Sequence, residues 1–214
     1  CPRDGASLCD PLDLERIGTS FGSFEITDLI GVGGMGVVYE GRHTTLDKAV
    51  AIKVLNEQHG RRRHAADEML REARAASRVQ TPHIVDVTDF GTLPDGEPYL
   101  VMELLHGESL ATVLQRDVRV PIPMAVEVVN QVASALAAAH DKGIVHRDLK
   151  PENVFLVDLD GPRESSSPGR RSQRNAGIFV KLLDFGLAKV LDMGPSSRTR
   201  AGVIAGTPFY MSPE

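Results

Sequence analysis

The spacing of apolar residues changes once along the 214 residues of this chain. Through the first hundred residues, apolar side chains alternate with polar ones or form short β-branched runs, which is typical of strands. Beyond that point they recur at helical spacing, with two prolines before the longest such stretch and a glycine after it. The pattern therefore predicts a long helix, one face of which carries Val126, Val129, Ala133, Leu136 and His140.

The strand-rich part divides into separate elements at its turn residues. Glycine-rich and Pro-Asp-Gly turns separate the apolar runs, and one charged segment has apolar residues at helical spacing. We predict five strands within 24–27, 37–39, 49–55, 84–87 and 99–102, and one helix over 63–79. Residues 1–21 precede them as a polar flank, which we interpret as a linker or the remnant of another module.

A second polar stretch lies between two short apolar runs near the end of the chain. Residues 158–177 are rich in Ser, Arg, Gly and Pro, and they follow the run 154–157 and precede the run 178–183. Such a composition buries too little apolar surface to pack. The sequence therefore predicts a mobile loop over 158–177.

Composition excludes several classes of protein. The chain has 24 Lys and Arg against 29 Asp and Glu, which gives a net charge of −5 and no overall footprint for nucleic acid or an anionic membrane. No apolar run approaches the roughly 18 residues of a membrane span, so we expect no membrane segment. The oligomeric state is not predicted.

Both cysteines lie near the N-terminus, at Cys1 and Cys9. Two cysteines do not make a disulfide scaffold, and they fit a reducing compartment, so we expect a cytoplasmic location. Residues 1–5 resemble the second knuckle of a zinc ribbon, but a structural zinc ion needs four ligands. We expect no zinc in this chain, while a zinc site in a longer parent protein stays an alternative.

A glycine-rich segment lies between the first two predicted strands, in the order Gly31-Val32-Gly33-Gly34-Met35-Gly36. Glycines in a hairpin let backbone N–H groups approach phosphate oxygens closely. An ordinary hairpin turn would account for the same residues. Phosphate binding is therefore one of two readings of this segment.

Lys53 ends the apolar run Val50-Ala51-Ile52. An ammonium group inside an apolar strand is costly unless it has a partner. Glu72, in the predicted helix that follows, faces the sheet if Met69 and Ala73 do. The segment therefore predicts a Lys53–Glu72 ion pair ready for phosphate oxygens, and the alternative is a lysine on an exposed strand face.

The segment from His146 to Asn153 has several side chains suited to catalysis within eight positions. It contains a candidate base in Asp148, two cations and an amide, between a helix and a strand. Asp184 ends a later apolar run, and with Asn153 it supplies the hard oxygen ligands that Mg²⁺ prefers. The alternatives are a charged surface loop and an aspartate that merely begins a turn.

The four segments, taken together and in this order, resemble the eukaryotic-type Ser/Thr protein kinases, most closely the bacterial branch. The resemblance covers roughly 24–214 and ends in Ser212-Pro213-Glu214, where the family has Ala-Pro-Glu. It implies an α+β, two-lobed kinase fold with ATP and Mg²⁺ in the cleft. The implied N-lobe, 22–105, is a five-stranded antiparallel sheet with one helix, and the C-lobe, 106–214, is mainly helical and truncated.

The resemblance also implies which residues hold the nucleotide. The glycines would cover the phosphates, and Lys53, paired with Glu72, would contact the α- and β-phosphates. Apolar side chains would enclose the adenine ring, Met102 would be the gatekeeper, and two backbone groups would bind the adenine edge. The implied nucleotide-binding residues are Gly31, Gly33, Gly36, Val38, Ala51, Lys53, Met102, Glu103, Leu105 and Phe155.

Catalytic roles are implied in the same way. Asp148 would accept the proton of the substrate hydroxyl, Lys150 would neutralise the transferring phosphoryl group, and Asn153 and Asp184 would hold Mg²⁺. Arg147 would bind a phosphate on the activation segment, which lies within 184–214. Candidate regulatory hydroxyls are Ser196, Ser197 and Thr199, with Thr207 near the base, although any one of them fits an ordinary loop hydroxyl.

The implied function is ATP-dependent phosphorylation of Ser and Thr hydroxyls on protein substrates, with regulatory autophosphorylation. Lys150, two residues after the base, is the Ser/Thr pattern. A non-catalytic nucleotide-binding pseudokinase is the competing class. Because a pseudokinase usually lacks the lysine or one of the two aspartates, the presence of Lys53, Asp148 and Asp184 favours the enzyme.

Besides Ser212 in place of the usual Ala, two further departures from the family pattern stand out. Thirty-six residues separate Asp148 from Asp184, an unusually long interval that contains the polar stretch 158–177. We interpret that stretch as a tolerated surface insertion, and a docking or autophosphorylation site is the alternative. The chain begins at Cys1 and stops at Glu214, so we interpret it as a fragment with little or no activity by itself.

Overall fold

A computed structural model shows that the chain folds into two units. The first unit comprises Cys1–Ser77 and Asp86–Leu104, and the second comprises Arg78–Val85 and Leu105–Glu214. The structure describes residues 11–33, 36–55, 79, 81–146, 148–159, 178–184 and 210.

Antiparallel pairing organises the first unit around one six-stranded sheet. Its strands lie in the order β1-β2-β3-β4-β6-β5, so that β1 and β5 form its two edges. The strands are β1 (Ser20–Phe21), β2 (Phe24–Gly33), β3 (Gly36–His43), β4 (Lys48–Leu55), β5 (Val87–Thr92) and β6 (Pro98–Glu103).

The alternation of side chains along β3, β4 and β6 gives this sheet two different faces. On one face, Tyr39 lies opposite Ile52, which in turn lies opposite Val101, and all three are fully buried. Phe21 adds an aromatic ring to the same core, 4.6 Å from the ring of Tyr99. This face is the hydrophobic core of the unit, so the residues between these positions lie on the opposite face.

The predicted antiparallel sheet is confirmed, with two differences in its strands. The two-residue strand β1 adds a sixth strand. The predicted strand over 84–87 is wrong, because Ile84 forms a parallel bridge with Leu182, and Val85 donates its N–H to the Leu182 carbonyl, both in the second unit. Strand β5 begins only at Val87, since the apolar run is shared between two different sets of partners.

The described part of the N-terminal flank, residues 11–21, belongs to the first unit. It forms a short helix, α1 (Pro11–Glu15), and then β1, which pairs with β2. The Arg16 guanidinium lies 2.5 Å from the Glu97 carboxylate and 3.1 Å from that of Asp95, in the turn between β5 and β6. The pairing of β1 with β2 and the ion pairs of Arg16 therefore hold residues 11–21 against the sheet.

The second unit combines two helices with a small sheet. Helix α2 (Leu110–Asp117) begins at Ser109, whose hydroxyl accepts a hydrogen bond from the Thr112 N–H, as a helix N-cap does. Helix α3 (Ile122–His140) is the long one. Three antiparallel strands, β7 (Gly107–Ser109), β8 (Val154–Val157) and β9 (Phe179–Leu182), and the one-turn 3₁₀ helix η1 (Pro151–Asn153) complete the described part of the unit.

The long helix is confirmed, and the face that it buries is not the apolar stripe identified from the sequence. Val128, Ala135 and Ala139 are buried against Val180 and Leu182 of β9. The predicted stripe is mostly exposed; Val129, for example, is 63% exposed. The apolar content of α3 is nearly continuous, so spacing alone could not select the face that meets β9.

Helix α3 is also, by length and composition, the one helix among the described residues that could cross a membrane.

Several predicted features lie outside the described residues. These are the helix over 63–79 except Val79, the loop over 160–177, and Cys1 and Cys9.

Candidate active site

The glycine-rich segment lies where β2 and β3 pair. Gly31 is opposite Val38, and Gly33 is opposite Gly36, while residues 34–35 lie outside the described residues. A Cβ atom on Gly36 would collide with the Val54 carbonyl oxygen, and the φ of Gly36 is +155°. This glycine is therefore required by the close approach of β3 to β4.

Gly31 and Gly33 have different surroundings from Gly36. No described atom lies within 4 Å of a Cβ built on Gly31, and one on Gly33 would be 3.8 Å from the Gly36 carbonyl oxygen. The described fold thus leaves open space beside Gly31 and only an ordinary van der Waals contact at Gly33. Their lack of side chains is not required by packing within the described residues, which is compatible with a ligand approaching the backbone there.

Lys53 lies on the sheet face opposite the aromatic core. It is opposite Val38 of β3 and Leu100 of β6, and Ala51, two residues before it, is opposite Met102. The Lys53 side chain is only 5% exposed, and Ala51, Leu100 and Met102 are buried as well. The sheet register thus brings the predicted lysine, adenine-contacting alanine and gatekeeper onto one apolar face.

Glu103, at the end of β6, is bonded twice to Asp86. Its N–H donates to the Asp86 carbonyl oxygen at 3.0 Å, and its carboxylate accepts from the Asp86 N–H at 2.7 Å. The N–H of Glu103 is therefore used by the fold itself. Of the two backbone groups of Glu103, the carbonyl is the one that the predicted contact with adenine would use.

The second unit brings Asp148, Lys150 and Asn153 together. The Lys150 ammonium lies 2.8 Å from Asp148 Oδ2, and the Asn153 side-chain amide donates to the Asp148 carbonyl at 2.8 Å and to Oδ2 at 3.3 Å. Helix η1 makes this possible, because it turns the chain so that the Asn153 N–H donates to the Lys150 carbonyl. The Asp148 side chain is 12% exposed, so its carboxylate is held by these partners in a largely buried position.

The orientation of Asn153 bears on metal binding. Both hydrogen-bond partners of its side chain are acceptors, so the amide nitrogen faces them and the carbonyl oxygen Oδ1 faces away. The Leu183 N–H donates to the Asn153 carbonyl at 2.9 Å. Asp184 is the next residue after Leu183, so the chain brings Asp184 close to Asn153. An amide oxygen and a carboxylate suit Mg²⁺, which usually takes one or two protein ligands and completes its shell with phosphates and water.

The backbone conformation of Asp184 is consistent with that site. Asp184 has a φ of +51°, a conformation that aspartate and asparagine tolerate better than most residues. The described residues contain no group of three His, Cys, Asp or Glu side chains, so they offer no all-protein metal cage. Mg²⁺ bound with a nucleotide requires no such cage.

His146 was not assigned a function from the sequence, yet it is a central residue of this cluster. It is 2% exposed, and its Nε2 lies 3.0 Å from the Leu183 carbonyl oxygen. Because a carbonyl only accepts hydrogen bonds, Nε2 carries the proton in this contact. Burial lowers the pKa of His146, so the ring is neutral at pH 7.

The predicted site residues fall into three groups. Gly31, Gly33, Gly36, Val38, Ala51, Lys53, Met102 and Glu103 lie in the first unit, and Leu105, Asp148, Lys150, Asn153, Phe155 and Asp184 lie in the second. Glu72, Arg147, Ser196, Ser197, Thr199 and Thr207 lie outside the described residues. Leu100 was not predicted, although strict alternation in β6 would have placed it beside Met102 on the Lys53 face.

Comparison with known proteins shows which family and which proteins this chain resembles. The family model of the protein kinase domain matches residues 24–214. The chain is similar to the serine/threonine-protein kinase pkn3 of Myxococcus xanthus, with 42% identity over 194 residues, which are 89% of this chain and 33% of the relative. It is also similar to PknE of Mycobacterium bovis, with 39% identity over 93% of this chain and 31% of the relative.

A solved structure shows the same fold. The crystal structure of the Mycobacterium tuberculosis PknI kinase domain matches with a TM-score of 0.61 and 28% identity, over 80% of this chain and 63% of that one. The chain spans about one third of the length of the curated relatives. From the family match and the shared fold, we conclude that this chain belongs to the protein kinase domain family.

Proposed function

We propose that this chain is the ATP- and Mg²⁺-binding part of a Ser/Thr protein kinase that phosphorylates protein substrates and itself. The observation that supports this most directly is the cluster in which Lys150 and Asn153 both contact the Asp148 carboxylate. A surface loop would not hold a carboxylate between a cation and an amide in a largely buried position. The serine/threonine-protein kinase names of its relatives agree with the proposal.

In the proposed reaction, a substrate hydroxyl oxygen attacks the γ-phosphorus of ATP. The bond from that phosphorus to the oxygen it shares with the β-phosphate breaks, and ADP leaves. Asp148 accepts the hydroxyl proton, and Lys150 stabilises the negative charge of the transferring group. The contact of Lys150 with Asp148 holds the base and the cation in one position before the substrate arrives.

The metal would be held by Asn153 and Asp184. When bound, Mg²⁺ neutralises phosphate charge and orients the phosphates for in-line transfer. Asn153 has a second function in this proposal, because its Nδ2 orients the Asp148 carboxylate while its Oδ1 serves the metal. The base and the metal site are therefore coupled through a single amide side chain.

The nucleotide would be bound in part by the first unit. Lys53 would contact the α- and β-phosphates, and Val38, Ala51 and Met102 share its sheet face and would contact the adenine ring. The open space beside Gly31 would admit the phosphates.

The test is phosphoryl transfer by the full-length parent protein with radiolabelled MgATP. Asp148→Asn keeps the size of the side chain but removes the base, so autophosphorylation on Ser and Thr is expected to be abolished while ATP binding is largely retained. Asp158→Asn, on the second-unit residue that follows β8, is the matched control and is expected to leave transfer intact. Transfer by Asp148→Asn at the parent's rate would refute the assignment of the base.

We also propose that the whole protein acts on protein substrates and is located in the cytoplasm. In this proposal residues 22–105 form the kinase N-lobe, and residues 106–214 belong to the C-lobe.

A further inference from the structure

Gln131 is a polar residue on the buried face of α3. Val128 and Ala135 are buried on either side of it, one helical turn away in each direction, and Val132 and Leu136 are half-buried against the same core. The half-buried amide lies within an otherwise apolar contact surface. A polar group in such a position costs free energy unless it is hydrogen-bonded, so its partners are informative.

Those partners are backbone groups of the segment that carries β9. The Gln131 Nε2 donates to the Ile178 carbonyl at 2.5 Å, and its Oε1 accepts from the Val180 N–H at 2.8 Å. A neighbouring strand would offer the same pair of groups. β9 pairs with β8 on one edge. On its other edge, the Gln131 side chain makes the hydrogen bonds that a neighbouring strand would otherwise make. Glu127, one turn earlier, accepts a further bond from Nε2 at 2.6 Å, which orients the amide.

The rest of that edge is also satisfied. The Val180 carbonyl lies 2.9 Å from His83 Nδ1, and the Leu182 N–H donates to the His83 carbonyl at 2.8 Å. The Leu182 carbonyl accepts from the Val85 N–H at 3.0 Å. Strand β9 is thus held by β8 on one edge and by Gln131 and residues 83–85 on the other.

The position of β9 determines where the residues that follow its C-terminal end lie. Leu183 follows the strand and bonds to Asn153, and Asp184 comes next, in a left-handed conformation that few residues adopt without support. A strand that could slide or twist would displace Asp184 relative to Asn153. Ligand position matters for Mg²⁺, which demands near-ideal octahedral geometry.

We propose that Gln131 is a positioning residue for the metal site, which acts by holding β9 so that Asp184 meets Mg²⁺ beside Asn153. The proposal rests on the proposed function, in which these two residues bind Mg²⁺. Gln131 touches neither the metal nor the nucleotide. Its effect is transmitted along the chain from Val180 to Asp184.

The first measurement uses the full-length protein without nucleotide or metal. In Gln131→Met, a side chain of similar length loses both hydrogen bonds to β9. Hydrogen–deuterium exchange at the Val180 amide is expected to become about tenfold faster, which corresponds to the loss of one backbone hydrogen bond. Asn130→Met, on the neighbouring exposed position of the same helix, is the matched control and is expected to leave this exchange rate unchanged.

The second measurement separates positioning from simple stabilisation. At fixed ATP, the Mg²⁺ concentration that gives half of the MgATP-dependent rise in melting temperature is expected to increase about tenfold in Gln131→Met, at the lower end of what loss of an outer-shell support costs. A merely structural residue would lower the melting temperature without nucleotide and leave this midpoint unchanged. Gln131→Leu also loses both hydrogen bonds and keeps an apolar side chain against the same core, so it is expected to give the same shift, and it replaces the methionine variant if that variant does not fold.

Three results would overturn the proposal. One is an unchanged Mg²⁺ midpoint in a folded Gln131 variant, and another is an equal shift in Asn130→Met. The third is a parent protein that shows no Mg²⁺-dependent stabilisation by ATP, which would refute the proposed function as well. The exchange rate at Val180 distinguishes these cases, because it depends on the contact of Gln131 with β9 and not on metal binding.

Discussion

His146 donates a hydrogen bond from Nε2 to the carbonyl oxygen of Leu183, the residue before the proposed metal ligand Asp184. Burial lowers the pKa of this imidazole below its ordinary value. The unfolded chain therefore takes up a proton at a higher pH than the folded chain does. The contribution of His146 to stability is complete above about pH 6.5, the ordinary histidine value, and is lost as the pH falls below it.

We therefore predict that the free energy of unfolding, measured by urea titration without Mg²⁺, decreases between pH 7 and pH 5. One proton limits the contribution of His146 to about 1.4 kcal/mol per pH unit. His146→Phe is expected to be less stable at pH 7.5 but to have a shallower pH dependence. His140→Phe removes an exposed imidazole from α3 as the control. Equal pH slopes in the parent and in His146→Phe would contradict the prediction.

The two ends of the glycine-rich segment are expected to respond differently to alanine. Gly36→Ala places a Cβ against the Val54 carbonyl, so it is expected to reduce the free energy of unfolding by about 1–3 kcal/mol. Gly31→Ala meets no described atom, so its stability is expected to change by less than about 0.5 kcal/mol. Chemical denaturation measures both.

For Gly31→Ala, the expected loss is functional. If phosphates occupy the open space beside Gly31, a methyl group there raises the KM for MgATP while the melting temperature stays the same. Unchanged KM and unchanged stability together would mean that the nucleotide does not approach Gly31.

The N-terminal flank is predicted to be part of the folded first unit, although the family match begins at residue 24. Phe21→Ala removes a buried ring that contacts Tyr99, so a loss of about 2–4 kcal/mol is expected. Phe90→Ala, at a 43% exposed position on the edge strand β5, is expected to cost less than about 1 kcal/mol. Similar losses from both variants, measured by urea denaturation, would show that the flank does not contribute to the core.

Val118 is a position where a substitution is expected to stabilise the protein. It follows α2, is 77% exposed, and has a φ of +59°, which is unfavourable for a β-branched residue. Val118→Gly relieves this strain and is expected to raise the free energy of unfolding by about 1 kcal/mol. Val118→Ala retains a Cβ and is expected to give little of that gain, so calorimetry of the two variants separates strain from hydrophobic exposure.

The proposed Lys53–Glu72 pair predicts coupled losses of activity. Lys53→Met is expected to reduce phosphoryl transfer strongly, and Glu72→Gln less so. Because both would loosen the same phosphate contact, the double variant is expected to lose less than the sum of the two single losses in free energy. Initial rates at saturating substrate give the comparison, and fully additive losses would mean that the two side chains do not meet.

Local sequence determined those features that depend on residues near one another in the chain. Helix α3 ends at His140, and Gly143, which follows with a positive φ, donates its N–H to the His140 carbonyl. The five-residue interval from Asp148 to Asn153 is closed by a single 3₁₀ turn. Motif spacing predicts such features because the interactions that produce them span only a few residues, so composition and order suffice.

The tertiary structure alone decided which of several equivalent surfaces was buried and which strand a segment joined. Val129 and Val128 are equally apolar, but only Val128 faces β9. Ile84 and Val85 have strand-forming side chains, but they bond to Leu182 instead of continuing β5. Gln131 could be identified only after β9 was placed beside α3, since its partners lie 47 and 49 residues away. Such choices depend on competition between distant partners, and local spacing carries no information about that competition.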